Sequence, residues 1–437
     1  MDPKPSSGNC PNTLLVGAPR VTGSERYVRH SADISLLTPA GRQDFGELWF
    51  EAERPWAWEA PDAEIFLLAV YQWAMALNAD VRIDGTVTHG LLANLEEFGE
   101  AWVRWIPKTY KRIRVFAQAV QEPSLPAAPF DAVAAFSGGV DATFTAMRHA
   151  KAQVGYRSRK LQACAFIHGF DIGLDDEAAY EHAFEGARRT LDDVKVPLVR
   201  IRTNFRQLVP VSWEDAHVAA LAAAMHTVQG VARAALVGST KAYDELVIPY
   251  GSLPITDALL TSERMQIIHD GASHTRTQKV AAIATWPAGA QGLRVCWQEA
   301  SMGRNCGKCE KCVRSMLNFR VSNLPIPDCF DEPLKPARIL KAKMRAAPIF
   351  KEYYSLFMHG LKHGASPTIL VPIAIVLGFA PIRWLWSNGL ALPGRVIRKL
   401  GRMRAAKRAG GAPSVPAAMI PKCAKPAVFE NTRSRTV

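Results

Sequence analysis

The stretch that decides the fold runs from Phe130 to Ala150 and reads FDAVAAFSGGVDATFTAMRHA. Its first part is an apolar run of strand length that ends at Phe136, and a pattern typical of a helix begins near Ala142 or Thr143. Two adjacent glycines stand in the turn between them, Ser137 to Asp141. A strand that passes through a tight turn into a helix begins a βαβ unit, so the sequence predicts a loop at the carboxyl edge of a parallel sheet.

The chain after this loop alternates short apolar runs with longer helical stretches. This rhythm predicts an α/β fold with a doubly wound, Rossmann-like parallel sheet and helices on both faces. The predicted strands are Ala132 to Phe136, Leu161 to His168, Leu198 to Arg202 and Ala234 to Val237. The predicted helices between them are Thr143 to Lys151, Glu177 to Leu191 and Asp215 to Gly230.

The paired glycines of the loop also indicate a ligand. Glycines let backbone N–H groups approach an anion closely, and the N-terminus of the following helix adds its positive dipole end. The loop therefore suits a phosphate group, although a Gly-Gly turn also occurs between strands and helices that bind nothing. The Walker pattern GxxxxGK[ST] is absent from the sequence, which argues against a P-loop NTPase.

Composition and a proline-rich stretch divide the 437-residue chain into four regions. Residues 1–20 are a loose polar arm, and residues 21–128 are predicted to form a separate N-terminal α+β domain with helices from Asp62 to Ala79 and from Thr88 to Trp102. The proline-rich stretch QEPSLPAAP, Gln121 to Pro129, is the predicted linker. The loop domain then covers residues 129–330, and residues 331–437 form a helical tail.

Charge separates the tail from the rest of the chain. The net charge is +13, but residues 335–437 alone carry +17, so residues 1–334 carry −4. The first residues, MDPKPSSGNCPN, lack the basic and apolar regions of a signal peptide, so we expect a cytoplasmic protein. In that reducing compartment, clustered cysteines indicate a metal site or catalysis more than disulfides.

Four cysteines lie close together in VCWQEASMGRNCGKCEKCVR: Cys296, Cys306, Cys309 and Cys312. The last three, spaced C-x₂-C-x₂-C, bring their thiolates to one point, and Cys296 can loop back to complete a tetrahedral set for Zn²⁺. An iron-sulfur cluster is the main alternative, because similar spacings occur in ferredoxin-type runs. Disulfides are disfavoured by the short spacing and the expected compartment.

The segment SGGVDAT resembles the SGGxDS/T loop of the PP-loop ATP pyrophosphatase superfamily, whose members cleave ATP between its α and β phosphates. The resemblance implies that the whole loop, Ser137 to Thr143, binds the nucleotide. Within it, Ser137, Gly138, Gly139 and Thr143 would hold the departing pyrophosphate, and Asp141 would face Mg²⁺. Val140 and Ala142 complete the loop, and Ala142 stands where the superfamily usually has serine.

The loop and the cysteines together are similar to the 7-cyano-7-deazaguanine synthases over about residues 130–320. The resemblance implies structural Zn²⁺ and an ATP-dependent enzyme that releases AMP and pyrophosphate while it activates a carboxyl or carbonyl oxygen for attack by a nitrogen nucleophile. Its substrate would be a small molecule with such a group. Two alternatives remain open: a tRNA-modifying PP-loop enzyme of the thiolation or lysidine type, and a non-catalytic nucleotide-binding module.

Other polar residues follow from the same resemblance. Lys279 is the second predicted catalytic residue beside Asp141, because PP-loop synthetases place a lysine at a helix start near the phosphates, and Arg276 would share its helix face. The stretch from Phe166 to Asp171 would hold adenine, and the stretch from Gly238 to Ser262 would contact the substrate. His269 and Asp270 could act in acid/base chemistry, but adjacency alone does not make an oriented dyad.

The tail combines an apolar segment with a basic one. Ile369 to Ile382 contains no charge but is shorter than the ~20 apolar residues that span a bilayer. Trp384 and Trp386 follow it, and Arg395 to Arg408 contains seven Lys and Arg and no acid. This pattern suits an anionic membrane surface, which would place the protein at the inner membrane surface, or RNA. A hydrophobic docking segment and a partly disordered tail are the open alternatives. We also expect the chain beyond Pro333 to be an accessory to the catalytic unit.

Overall fold

The computed structural model describes residues 12–120, 131–296, 304–342 and 347–389. The predicted linker and the basic run at 395–408 lie outside them. Eleven strands form one sheet: β1 Asn12–Val16, β2 Arg20–Gly23, β3 Tyr27–Thr38, β4 Gly41–Glu53, β5 Ala79–Val87, β6 Val115–Val120, β7 Asp131–Ala135, β8 Lys160–His168, β9 Leu198–Thr203, β10 Ala234–Gly238 and β11 Gln266–Asp270.

Twelve α-helices accompany the sheet in the described residues: α1 Ala63–Leu77, α2 His89–Trp105, α3 Val140–Ala150, α4 Glu177–Asp192, α5 Phe205–Leu208, α6 Trp213–His226, α7 Arg276–Ala284, α8 Pro287–Gln291, α9 Glu310–Arg320, α10 Pro336–Leu340, α11 Ala347–Lys362 and α12 Pro367–Gly389. The predicted start of α1 is confirmed, because the Asp62 carboxylate caps it by accepting a hydrogen bond from the Glu64 N–H.

The strands β7 to β11 are parallel and lie in the order β9-β8-β7-β10-β11. This order reverses between β7 and β10, and in open α/β sheets ligands bind at the carboxyl ends of the strands at such a reversal. The α/β prediction is confirmed, and the sheet is mixed but mostly parallel and compatible with a Rossmann-like fold. The predicted glycine loop follows β7 and therefore lies at the reversal.

The N-terminal strands are part of the same sheet. β4 pairs antiparallel with β9 through Phe50 and Thr203, and on its other side it pairs with β3 along most of its length. β1, β5 and β6 continue the sheet outward from β3. The region predicted as a separate domain is thus joined to the loop region by backbone hydrogen bonds, with no break in the sheet at β4 and β9.

The helices cover both faces of the parallel strands. On β7, Val133 packs in the cluster that contains α1 and α6, whereas Ala132 and Ala134 pack in the cluster that contains α3 and α4. This alternation follows from the two-residue repeat of a strand. A third cluster joins α3, α7 and α9 to the C-terminal helices. The site described below lies between these layers, where β7 and β10 end.

The C-terminal helices correct one expectation. Tyr353 and Leu356 of α11 and Ile369 and Ile373 of α12 are buried in the third cluster with Met316 of α9. Residues up to Gly378 also belong to one compact unit with the sheet. The chain beyond Pro333 is therefore not a detached accessory over this range. Among the described helices, none combines the length and apolar character needed to cross a membrane.

Candidate functional site

The glycine loop is held open by one left-handed residue and by an arginine from a distant segment. Gly138 has φ of +75°, a conformation that an L side chain rarely adopts, and a Cβ there would lie 3.2 Å from the Cβ of Arg294. The Arg294 N–H donates to the Gly138 carbonyl at 2.8 Å, and its Nε donates to the Ser137 carbonyl at 3.2 Å. Both carbonyls are thereby occupied by Arg294.

The N-terminus of α3 begins inside the loop and offers free donors. Gly139 is the N-cap residue, and no side chain in the described structure caps the helix. The first N–H groups of an uncapped helix, those of Val140 to Ala142, have no intrahelical partner. One turn in, the Thr143 hydroxyl is fully buried and has no hydrogen-bond partner among the described residues. An uncapped helix start beside an unsatisfied hydroxyl is suited to an anion.

The end of β10 lies unusually close to this helix start. A Cβ on Gly238 would lie 2.8 Å from the backbone carbonyl carbon and oxygen of Asp141, and 3.1 Å from the nitrogen of Ala142. Such distances are below van der Waals contact, so the position requires glycine for space. The resemblance assigned the segment that begins at Gly238 to substrate contacts, and nothing in the sequence indicated this close approach to α3.

Two cations from α7 converge on Asp141. Lys279 is 1% exposed, and its Nζ donates to the Oδ1 of Asp141 at 3.0 Å and to the carbonyl of Ser239. Arg276 donates through its Nη1 to the other carboxylate oxygen at 3.1 Å. The structure thus brings together Asp141, Lys279 and Arg276 at the point where the loop becomes α3.

A second charged layer lies behind these residues. Lys241 and Arg314 both pair with the carboxylate of Glu352 on α11, and Arg314 also pairs with Glu310 at 3.1 Å. Burial lowers the pKa of Lys241 and that of Arg314 below their usual values. Lys241 lies in the segment from Gly238 to Ser262 that the resemblance assigned to the substrate, whereas no sequence pattern indicated Arg314 or Glu352.

A cavity of about 430 Å³ opens beside Ser137 and Gly138. Small residues of α4 and α8, among them Gly186 and Ala288, line one part of it, and three arginines line another: Arg189, Arg294 and Arg304. Arg294 is largely buried, which lowers the pKa of its guanidinium. The cavity joins the glycine loop to the neighbourhood of the cysteine cluster.

The end of β8, assigned to adenine by the resemblance, lies next to this region. Gly169 has φ of +98°, and a Cβ there would lie 2.0 Å from the Thr203 carbonyl, so the turn needs glycine. The guanidinium carbon of Arg294 lies 5.7 Å from the ring centre of Phe166, and its Nη2 lies 3.8 Å from Asp171. A role in holding adenine stays a prediction.

The side chains of His269 and Asp270 have different hydrogen-bond partners. The Nδ1 of His269 lies 2.7 Å from the Oδ2 of Asp257, which also accepts a hydrogen bond from Ser252 at 2.8 Å. Asp270 instead accepts a hydrogen bond from Thr145 at 2.9 Å. Neighbouring residues in a strand point to opposite faces of the sheet, so their separation is a consequence of β11.

The four cysteines form a closed cluster. The Sγ atoms of Cys296, Cys306, Cys309 and Cys312 all lie within 4.8 Å of one another, and the separations from Cys296 to Cys306 and to Cys309 are 3.5 and 3.8 Å. Tetrahedral Zn²⁺ with bonds of about 2.3 Å needs sulfur atoms about 3.8 Å apart. The residues therefore fit a metal ion such as Zn²⁺, with sulfur as its only protein ligand.

Backbone groups and one side chain support this cluster. The N–H groups of Lys308 and Cys309 donate to Cys306 Sγ, and the N–H of Cys312 donates to Cys309 Sγ, which favours thiolate character. Asn305 accepts from the Val295 N–H at 2.8 Å and donates to the Leu293 carbonyl at 2.7 Å. The cysteine cluster and the segment carrying Arg294 are thus part of one hydrogen-bonded structure.

A fifth cysteine lies nearby but outside the set. Cys329 lines the cavity, and burial raises the pKa of its thiol to about 12, so it stays protonated near neutral pH. Its thiol donates to the Ala290 carbonyl at 3.5 Å. Cys329 is therefore an inert neighbour and a natural comparison for the four clustered cysteines.

No protein-family model, no curated protein and no solved structure matches this chain. The class that its fold and site define is an α/β protein with a glycine loop at a strand reversal and a four-cysteine cluster that could bind a metal. Sequence patterns indicated the loop and the cysteines, and the resemblance indicated Lys279. They did not predict Arg294, because it meets the loop only through tertiary structure.

Proposed function

We propose that the protein binds ATP at the glycine loop and forms an adenylate, with release of pyrophosphate and then AMP. The observation that carries this proposal is the convergence of donors at the start of α3: free helix N–H groups, the unpartnered Thr143 hydroxyl, Lys279 and Arg276. Preorganised donors of this kind stabilise negative charge as it develops on a leaving group. Pyrophosphate would be that leaving group.

The proposed reaction has two steps, and each bond that forms is matched by one that breaks. A carboxyl or carbonyl oxygen of the substrate would attack the α-phosphorus of ATP, and the bond from that phosphorus to the bridging oxygen would break. A nitrogen nucleophile would then attack the activated carbon, AMP would leave, and the nitrogen would lose a proton to solvent. Asp141 would contact the Mg²⁺ that accompanies ATP, once the nucleotide phosphates replace its carboxylate as the partner of Arg276.

The cavity beside Ser137 is the proposed place of the acceptor substrate. It reaches the loop and contains arginines, which suit a carboxylate through paired hydrogen bonds. Zn²⁺ would have a structural role here, because four sulfur ligands leave no open position for a substrate. It would hold the segment of Arg294 and Asn305 against the loop.

A product screen tests the proposal. The full-length protein, ATP and Mg²⁺ are incubated with pools of carboxylates plus ammonia, with nucleosides, or with tRNA, and nucleotide products are separated. We expect AMP and pyrophosphate with a small-molecule pool, and loss of both in Asp141→Asn. AMP with tRNA alone would favour the tRNA-modifying alternative, and ADP with phosphate would exclude adenylate formation.

A binding experiment separates catalysis from nucleotide recognition. Lys279→Met should weaken ATP binding by about tenfold to a hundredfold, because a hydrogen bond to a charged group contributes about 1.5–3 kcal/mol. Lys160→Met is the matched control, since Lys160 is an exposed residue at the opposite end of β8. Binding of ATP without any product in all pools would favour the non-catalytic module, and equal affinity in both variants would place the nucleotide elsewhere.

A further inference from the structure

The outer side of α11 carries large apolar side chains that no described residue covers. Four of them are between 36% and 52% exposed: Phe350, Tyr354, Met358 and Leu361. Their spacing of three or four residues places them on one side of the helix. Tyr353 and Leu356 are buried on the other side, in the cluster shared with α9. The exposed side chains therefore form a stripe that faces away from the core.

The described part of α12 repeats this arrangement. Val371 and Ile375, one turn apart, are 54% and 41% exposed, whereas Ile369 and Ile373 are buried in the same cluster as α11. The two helices touch at Gly360, where a Cβ would lie 2.7 Å from a methyl group of Leu370. We call the exposed set the outer apolar face; it consists of Phe350, Tyr354, Met358, Leu361, Val371 and Ile375.

The charged α11 side chains exposed beside the outer apolar face are lysines, and on the neighbouring segment Asp244 and Glu245 contact the same helix. Lys351 and Lys362 of α11 are exposed beside the stripe. The one acid of α11, Glu352, is turned inward to Lys241 and Arg314. Beyond Ile382 the sequence adds twelve Lys and Arg and a single acid, Glu430. The surface and the chain that follows it are therefore matched to a negatively charged partner.

We propose that the outer apolar face docks onto the surface of an anionic phospholipid membrane. Apolar side chains flanked by lysines on a helix that does not span are suited to the boundary between headgroups and acyl chains. A second copy of the chain would bring its own exposed lysines, Lys351 and Lys362, to the interface and be repelled. RNA would meet the positive charge but would leave the apolar stripe without a partner.

Vesicle flotation of the full-length protein tests this assignment. The vesicles are phosphatidylcholine with about one-third phosphatidylserine, compared with pure phosphatidylcholine. We expect binding to the anionic vesicles that weakens with salt. The double variant Phe350→Ser with Leu361→Ser should have a vesicle partition constant that is about tenfold or more lower, because two large apolar side chains no longer enter the lipid.

The matched control is Phe116→Ser with Leu37→Ser, which removes side chains that are 49% and 46% exposed elsewhere on the sheet. Thermal unfolding of both double variants identifies any loss of folding, and ATP binding should be unchanged in both. Equal vesicle binding by the two double variants would overturn the proposal. So would a protein that shifts tRNA in a gel but does not float with vesicles, or one that forms dimers lost in Phe350→Ser with Leu361→Ser.

Discussion

Lys279 Nζ lies 3.0 Å from Asp141 Oδ1, although the two residues are 138 positions apart in the chain. The pair is asymmetric, because the lysine is almost fully buried while the carboxylate is one-fifth exposed, at 19%. Leaving a buried charge without its partner is more costly than the pair itself is stabilising. The carboxylate therefore fixes the lysine at the end of β10, where Ser239 supplies a second acceptor.

Thr143→Val separates stability from ligand binding. The hydroxyl is buried without a partner, so replacing it with a methyl group should leave the protein as stable or stabilise it by about 1 kcal/mol. ATP should nevertheless bind about tenfold more weakly, because one phosphate donor is lost. Urea unfolding and calorimetry measure the two effects. Thr145→Val, which loses its bond to Asp270, should instead be destabilised; unchanged ATP affinity in Thr143→Val would remove this hydroxyl from the site.

Gly238→Ala tests the close approach of β10 to the loop. The new Cβ would push on the backbone of Asp141, at a cost of about 1–3 kcal/mol in stability, and would displace the first turn of α3. We expect weaker ATP binding with the metal content unchanged, measured by calorimetry and metal analysis. Gly378→Ala, at a position with open space, is the control. Normal ATP affinity in Gly238→Ala would show that the loop tolerates displacement.

Cys312→Ser should remove the metal. We expect one Zn²⁺ per chain in protein prepared without oxygen, and Zn²⁺ affinity lowered more than about hundredfold in the variant, because even loss of an outer partner costs about 10- to 100-fold. The melting temperature should fall in the variant and on treatment with a chelator. Cys329→Ser, outside the cluster, should keep the metal. Stoichiometric iron with visible absorption would show that the four cysteines hold an iron-sulfur cluster and not zinc.

Stability should decrease in mildly acidic solution because of buried histidines. Burial lowers the pKa of His30, whose Nε2 lies 2.9 Å from the Trp58 carbonyl oxygen. A group with a lowered folded pKa stabilises the protein above its unfolded value of about 6.5, and this stability is lost as the pH falls below that value. One such proton gives a slope of up to about 1.4 kcal/mol per pH unit. Urea unfolding between about pH 7 and pH 5 should show a smaller slope in His30→Gln; an unchanged slope would assign it to other groups.

Leu356→Ala tests the corrected view of the C-terminal helices. Leu356 is 2% exposed, so its truncation should lower the free energy of unfolding by about 2–5 kcal/mol. Leu361→Ala, on the exposed side of the same helix, should change it by less than about 0.5 kcal/mol. Chemical unfolding of both measures the difference. Equal stability of the two variants would contradict the packing of α11 in the core and support its description as an accessory.

Local pattern was sufficient for the glycine loop and for four of the five parallel strands, β7 to β10, but β11 was not predicted. β7, β8 and β9 lie close to their predicted positions because each is a short apolar run bounded by a turn, and periodicity identifies such runs without tertiary information. The partner of His269 was not predictable in this way. Asp257 reaches it from a separate turn, 12 residues earlier, whereas the adjacent Asp270 points to the other face of the sheet.

Net charge was the reason for expecting the chain beyond Pro333 to be an accessory, and it was a poor guide to burial. Net charge describes exposed side chains, and the lysines of α11 are exposed, so the excess of positive charge was consistent with a detached segment. Burial is decided by the other side of the helix, where Tyr353 and Leu356 lie at helical spacing. The contact of Arg294 with the loop was not predictable, because Arg294 lies 157 residues from Ser137 in the sequence and only tertiary structure brings them together.

The antiparallel pairing of β4 with β9 determines what the N-terminal strands do for the rest of the protein. Without β4, the backbone groups of β9 that face away from β8 along Ile201 to Thr203 would have no partner, and an unpaired sheet edge is a template for association with other chains. Asn204 adds two more bonds to β4, through the Trp49 N–H and the Glu47 carbonyl. The N-terminal region therefore covers one edge of the strands that carry the glycine loop, and removing the chain before the linker would expose that edge.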